Sequence, residues 1–265
     1  MASENYEIFR NLAKMLHKRY DDITWLHKRL ADAQSKNTLF AILATWVDMD
    51  YNRLNKYREK EQPEYYDTNI FPRRNGEVFV DLGAYNGDST FSFINEYQSY
   101  KSIYCYEVSP KTFAKLTKNL SPFSNINYRQ KAVGKAIGTL YLTLNQFGAG
   151  ANTVGETGEV AVDVVRIDED VKEPITFIKM DIEGSEQNAL EGCERQIKEN
   201  HPHLAISTYH GFDDITAIPR LIDKIEPGYT FYMRYHGRVV ADEFSLMAKW
   251  DNNKGGNSSK RVNLL

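Results

Sequence analysis

Along the N-terminal stretch the apolar positions follow helical spacing. Ile8, Leu12, Met15 and Leu16 share one face, and Ile23, Leu26 and Leu30 share another behind Asp21 and Asp22 as expected caps. Leu39, Ile42, Leu43, Trp46 and Val47 predict a third helix that opens near Asn37 or Thr38. No glycine or proline occurs from Met1 to Gln62, which favours helix over loop. The pattern predicts a helical extension over 1–62. Its expected use is docking or dimerisation, giving a homodimer through these helices; a lid over an active site is the alternative.

A polar connector with Pro63 and Pro72 follows, and the periodicity then changes. Short apolar runs read as strands: EVFVDLG, SIYCYEV, NINYRQKAVG, TLYLTLN, VDVVRI, TFIKMDIEG, HLAIST, TFYMRYH and EFSLMAKW. Helical stretches between several of them, among them STFSFINEYQSY and DDITAIPRLIDKI, point to crossover connections. Such alternation predicts an α/β fold, a doubly wound, mostly parallel seven-stranded sheet over 63–250, with an antiparallel hairpin at its C-terminal edge. Residues 251–265 read as a polar tail.

Composition narrows the function classes. The 265 residues carry a formal net charge of −3, so no electrostatic footprint for nucleic acid is present. The most apolar stretch, Thr38 to Val47, is too short for a bilayer that needs about 20 residues. The two cysteines, Cys105 and Cys193, lie apart in a strand and a helix and read as reduced, buried thiols. The expectation is a soluble, cytoplasmic protein.

The strongest chemical signal is the first strand and its turn, Val78 to Ser89. Asp81 ends an apolar strand, Gly83 and Gly87 flank Ala84-Tyr85-Asn86, and a helix opens at Ser89 or Thr90. Glycines there allow a sharp turn and close approach to a ligand. A pyrophosphate site wants Gly-x-Gly-x-x-Gly, whereas a carboxylate beside a Gly-x-x-x-Gly corner suits an ammonium-bearing amino-acid moiety. Glu107 ends the second strand, followed by Val108, at the place where an acid in doubly wound folds receives ribose hydroxyls. Ala132 and Val133 end the third strand near the expected place of an adenine ring, though core packing explains them equally well.

The fourth strand delivers Asp181, Glu183 and Glu186 beyond its carboxyl end, where two carboxylates can deprotonate a hydroxyl or hold a divalent cation. Glu183 or Glu186 is alternatively a cap for the helix that starts near Gly184 or Ser185. His210 after the fifth strand is a candidate general base. The aromatic segments Tyr65-Tyr66 and Phe231 to His236 are either sugar-stacking surfaces or core.

These segments resemble the FkbM-type family of class I S-adenosylmethionine-dependent methyltransferases. The resemblance is carried by EYYDTNIF, EVFVDLGAYNGDST, YCYEVSP, KAVG, VDVVRID, FIKMDIEGSEQNAL and AISTYH, in order, from about residue 62 to 250. It implies O-methylation, often of sugars in polysaccharides, glycolipids or secondary metabolites. It also implies cofactor contacts from Asp81, Gly83 and Glu107, with Asp181 and Glu183 near the chemistry. The family commonly places an acid after the fifth strand, where Tyr209-His210 stands here, so the base is His210 or Asp181 and the metal, Mg²⁺ if any, is left open. A nucleic-acid methyltransferase fits poorly, because Asp181-Ile182-Glu183-Gly184 replaces the Pro-containing base clamp. A binding module without catalysis is the reading from another class.

Overall fold

The computed structural model describes residues 14–143, 153–238 and 243–251. The expected contributions of Ile8 and Leu12, the end of the TLYLTLN run and the tail after Asp251 lie outside the described residues.

Among the described residues a helical stretch over 14–18 leads into α1 (Tyr20–Arg29), followed by α2 (Ala33–Asp48) and α3 (Tyr51–Asn55). Asp21 and Asp22 are not the caps of α1. They sit inside its first turn, where acids suit the helix dipole. The second helix opens at Ala33 rather than near Asn37, because the Asp32 side chain accepts the Ser35 N–H at 2.7 Å and starts the helix ahead of its apolar run.

The main sheet contains β1 (Glu77–Leu82), β2 (Tyr100–Tyr106), β3 (Ile126–Arg129), β8 (Phe177–Met180), β9 (His203–Ser207), β10 (Tyr229–Tyr235) and β11 (Phe244–Trp250). Its order is β10-β11-β9-β8-β1-β2-β3, parallel except for β11, which runs antiparallel to both β9 and β10. All residues of β1, β8 and β9 are buried, as parallel strands covered on both faces must be. The covering helices are α4 (Asp88–Tyr97), α5 (Pro110–Leu120), α7 (Glu186–Gly192), α8 (Glu194–Asn200) and α9 (Asp214–Ile225); the short α6 (Ile167–Asp170) precedes β8.

The remaining strands depart from the expected single sheet. β4 (Ala132–Val133), β5 (Gly138–Thr143), β6 (Thr153–Gly155) and β7 (Val160–Val165) form a second sheet in the order β4-β7-β5-β6. β5 pairs antiparallel with both β6 and β7, and the alternating burial of β5 and β7 leaves one face to solvent.

The helical extension shares the core of the main domain: Leu26, Leu30, Leu39, Ile42 and Leu54 pack in one cluster with Phe231, Met233 and Tyr235 of β10. It also covers the outer edge of β10. Ala31 N–H donates to Phe231 O at 2.9 Å, Ser35 Oγ accepts Met233 N–H at 2.9 Å, and Glu59 N–H donates to Tyr235 O at 2.8 Å. An exposed sheet edge is a template for unwanted pairing, and this segment closes it. Arg234 locks the arrangement from the buried side. Its guanidinium reaches Asp32 at 2.8 Å and Asp67 at 3.2 Å with only 5% of its side chain exposed. Arg234→Leu strands Asp32 and Asp67, and urea unfolding is expected to show a loss of about 3–5 kcal/mol. Lys101→Ala, at an ion pair whose lysine is 63% exposed, is expected to cost no more than about 1 kcal/mol.

Candidate active site

A cleft of about 470 Å³ opens beyond the carboxyl ends of β1, β2 and β8, at the point where the strand order reverses. That is the place where open α/β sheets bind ligands, and the volume lies in the ~300–1,000 Å³ range of small-molecule sites.

Its floor is built on a buried ion pair. Asp81 of β1 and Lys179 of β8 are register partners in adjacent parallel strands. Lys179 Nζ lies 3.2 Å from Asp81 Oδ1 and donates to Gly83 O at 2.8 Å. Asp81 Oδ2 accepts both Ser89 Oγ and Thr90 Oγ1 at 2.7 Å. Burial disfavours the charged lysine, but Asp81 and Asp181 outweigh it and hold the Lys179 ammonium above its ordinary range. Asp81 itself is fully buried and does not line the cleft. The expected direct contact between Asp81 and an ammonium group is therefore replaced by a structural one, tying β1, β8 and the start of α4 together.

The glycine corner divides in the same way. Gly83 (φ +81°) lines the cleft, and a Cβ there would come within 1.8 Å of Asp181 O, so no other residue fits. Tyr85 (φ 47°) lines the cleft and is 40% exposed. Ala84, Asn86 and Gly87 do not line it: Ala84 is core, Asn86 O accepts from Asn119 Nδ2, and Gly87 packs under Leu120 as the left-handed residue before α4.

At the other end Glu107 and Val108 line the cleft as expected, and Ala132, Val133 and Leu140 of the second sheet form its side wall. Glu107 Oε1 accepts the Ser109 N–H at 2.7 Å. Burial raises the Glu107 carboxyl above its usual range, against the pull of the Ser109 and Tyr85 N–H groups.

Beyond β8 the turn Glu183-Gly184 is left-handed at both residues (φ 55° and 93°), which turns the chain from strand to helix and leaves Asp181 and Glu183 on the cleft. Tyr65 Oη donates to Asp181 Oδ2 at 2.9 Å, and Tyr209 Oη lies 3.3 Å from both carboxylate oxygens. Glu183 does not cap the following helix; it is Glu186 whose Oε1 reaches back to the Ile182 N–H at 2.9 Å. His210 is not on the cleft surface. Its side chain is 10% exposed, with Nδ1 2.9 Å from Glu186 Oε1 and Nε2 3.3 Å from Asp181 Oδ1 and 3.6 Å from Glu183 Oε2. Burial opposes its charge, but Glu186, Asp181 and Glu183 outweigh burial and raise its basicity.

Several cleft residues escaped the sequence reading. Lys179 carried a signal, since a lysine inside an apolar strand must be paired. Glu64, Asp88, Ser89, Ser92 and Lys131 also line the cleft, as does Tyr65 of the pair read as either a stacking surface or core. Burial, with the charges of Asp181 and Glu243, pushes the Glu64 carboxyl up to about 7. Tyr66 also borders the cleft, but its ring belongs to the aromatic core around Phe79, Phe93, Tyr97 and Phe177, and no residue from Phe231 to His236 reaches the cleft. Neither does any residue of α1–α3, so no lid is formed by the described helices. No helix is long and apolar enough to cross a membrane among the described residues.

A sequence profile of the Methyltransferase FkbM domain matches residues 81–239. Among solved structures, methyltransferase FkbM from Methylobacillus flagellatus KT superposes with a TM-score of 0.77 at 26% identity, over 89% of this chain and 60% of that one. The chain thus spans about 60% of the length of that structure. An rRNA methylase from Streptococcus thermophilus (15% identity, 72% of this chain and 99% of that one) gives 0.47. Aeropyrum pernix fibrillarin with natively bound S-adenosyl-L-methionine (14%, 66% and 67%) gives 0.41. Among curated proteins none matches the chain.

The buried pair supplies a test. Lys179→Met leaves the Asp81 carboxylate uncompensated, and thermal unfolding is expected to show a loss of about 3–5 kcal/mol. Adding Asp81→Asn, which keeps an acceptor for Ser89 and Thr90, is expected to restore most of it.

Proposed function

The chain belongs to the FkbM methyltransferase family, and we propose that it is an S-adenosylmethionine-dependent O-methyltransferase acting on a neutral, carbohydrate-like hydroxyl compound. The observation that carries this is one continuous cleft with Glu107 at one end, the Gly83 approach in the middle and Asp181 with Glu64 at the other. Bound there, S-adenosylmethionine supplies an electrophilic methyl group on a sulfonium centre.

The chain's own residues do the rest. Glu107 receives the ribose hydroxyls, with one oxygen already fixed by Ser109 N–H. Ala132, Val133 and Leu140 flank the adenine. Gly83 lets the backbone approach the amino-acid end, and Asp88, with its place at the start of α4, supplies the carboxylate that Asp81 cannot. Asp181, steadied by Tyr65 and Tyr209, orients the acceptor hydroxyl. Proton removal falls to Glu64, which borders the cleft beside Tyr65, rather than to the enclosed His210. A carboxyl titrating near neutrality is matched to that task.

Charge supports the acceptor class. Five acids line the cleft, Glu64, Asp88, Glu107, Asp181 and Glu183, against two lysines. Lys131 is held by Asp170 at 3.0 Å and Lys179 by Asp81 at 3.2 Å, so neither is free for an anion. Such a cleft attracts a cationic cofactor and repels phosphodiesters and phosphosugars. Together with the absence of a proline clamp, this disfavours a nucleic-acid acceptor. A binding module without catalysis gains nothing from a titrating acid beside Asp181.

Isothermal titration with S-adenosylhomocysteine is expected to give micromolar binding, weakened roughly tenfold or more in Glu107→Ala, about the worth of a charge-assisted hydrogen bond. Wild-type turnover is expected to rise as pH passes through about 7, because Glu64 must be deprotonated to act. Glu64→Gln is expected to lower kcat by about 10²-fold or more and to remove that inflection while leaving S-adenosylhomocysteine affinity unchanged. An unchanged pH profile in Glu64→Gln would assign the proton transfer elsewhere.

A further inference from the structure

Helix α2 is apolar on two faces, and the fold covers one of them. Leu39, Ile42 and Thr45 are buried, the first two in the core cluster that includes β10. The opposite face carries Phe40, Leu43, Ala44 and Val47, at the i, i+3, i+4, i+7 spacing of a second apolar stripe. Phe40 is 63% exposed and Val47 47%, with Leu43 and Ala44 half-buried. Exposed Met49 and Tyr51 prolong the stripe into the turn before α3, where Tyr51 Oη lies 3.7 Å from Met49 Sδ. A helix whose outer side meets water is polar there, as α5 is with Lys111, Lys115 and Lys118 exposed. A helix that is apolar all round is one that becomes covered all round.

The charges at the two ends of the stripe point to a second copy of the same helix. Lys36 and Asp48 are the charged residues of α2, with no acid in its first turn and no base in its last. That order runs against the helix dipole, which favours acids at the start and bases at the end. Lys36, one helical turn before Phe40, forms no ion pair among the described residues. At the other end Asp48 and Asp50 lie 2.6 and 3.8 Å from Arg53, two carboxylates to one guanidinium. A second α2 laid antiparallel corrects both ends at once. An isologous contact requires that residue i meets j and j meets i. The stripe has that symmetry about an axis between Leu43 and Ala44, from which Phe40 and Val47 stand equally far. Phe40 then meets Val47 of the partner subunit, and the small Ala44 lets the helices approach. The Lys36 stem lies along Tyr51 of the partner subunit and brings its ammonium to the surplus carboxylate there.

We propose that the outer face of α2 is the interface of a homodimer, in which two copies of this chain pair antiparallel along Phe40, Leu43, Ala44 and Val47. No residue of α2 lines the cleft, so the association stands apart from the methyltransferase proposal.

Sedimentation velocity of the full chain over a concentration series tests this. One helix face is smaller than the ~20–30 residues a side of a standard interface, so a dimer forming between about 1 and 100 µM is expected. Phe40→Asp, at an exposed position, is expected to raise the dissociation constant by about 30-fold or more while circular dichroism and S-adenosylhomocysteine binding stay unchanged. Lys36→Glu is expected to weaken the dimer by roughly 2–5-fold. Oxidative cross-linking reads the orientation, since the native Cys105 and Cys193 are buried and stay silent. Ala44→Cys, beside the axis, is expected to link two chains, whereas Asn37→Cys, about two turns away, is not. A monomer up to about 100 µM, a dimer unaffected by Phe40→Asp, or cross-linking through Asn37→Cys would each overturn the proposal. A monomer that cosediments with vesicles of phosphatidylcholine and phosphatidylglycerol would overturn it as well, and would assign the stripe to a lipid surface.

Discussion

The cleft depends on one buried ion pair. Asp81 and Lys179 face each other across the β1–β8 register, and each makes further bonds that place a different part of the site. Asp81 takes the hydroxyls of Ser89 and Thr90 and so draws the N-terminal turn of α4 against the end of β1. Lys179 holds the Gly83 carbonyl, which fixes the corner at which only glycine fits beside Asp181 O. A pair of this kind is weak evidence for stability, since desolvating both ions offsets most of their attraction. Its value here is positional: it joins two strands, a turn and a helix at the switch point of the sheet.

The N-terminal helices solve a different constraint. A hairpin at the end of a sheet leaves β10 with unpaired backbone groups. Ala31, Ser35 and Glu59 meet that edge one after another, while Leu26, Leu39 and Ile42 extend the apolar core over it. Arg234, on β10 itself, ties Asp32 at the start of α2 to Asp67 in the connector. That same connector carries Glu64 and Tyr65 to the cleft, so the closure of the edge and the assembly of the acceptor end share one stretch of chain. The described part of the extension is thus bound to the site through the connector without lining it.

Much of this was legible in the residues. EVFVDLG and TFIKMDIEG stood out as parallel strands because burial on both faces produces unbroken apolar runs. Glu107 and Asp181 were conspicuous as acids closing such runs, and both line the cleft. What stayed hidden depends on register and packing. Whether Asp81 points at a ligand or at Lys179 is decided by strand pairing, which no local pattern encodes. Glu64 lies in a polar connector, where a glutamate looks like any solvated one until Asp181 and Glu243 are brought beside it. The second sheet was not foreseen, because its strands read in sequence like those of the main sheet and only their pairing with one another separates them. His210 was noticed for its position at a strand end, yet its surroundings come from three residues that only the turn at Glu183-Gly184 gathers around it.

The distribution of charge links these pieces. Both lysines on the cleft are ion-paired within the protein, so the five carboxylates that face the cleft outnumber the positive charge within their reach. Such an excess disfavours ionising every acid at once, which is why burial and the neighbouring Asp181 hold Glu64 near neutrality rather than in the ordinary carboxylate range. The same field favours a positive charge that enters, such as a sulfonium in the middle of the cleft. Each arriving cation lowers the cost of ionising the next acid, so occupation of the cleft and the readiness of Glu64 to hold or release a proton are coupled through space. An acceptor that brings its own negative charge would work against that coupling. One that brings only hydroxyl groups leaves it intact.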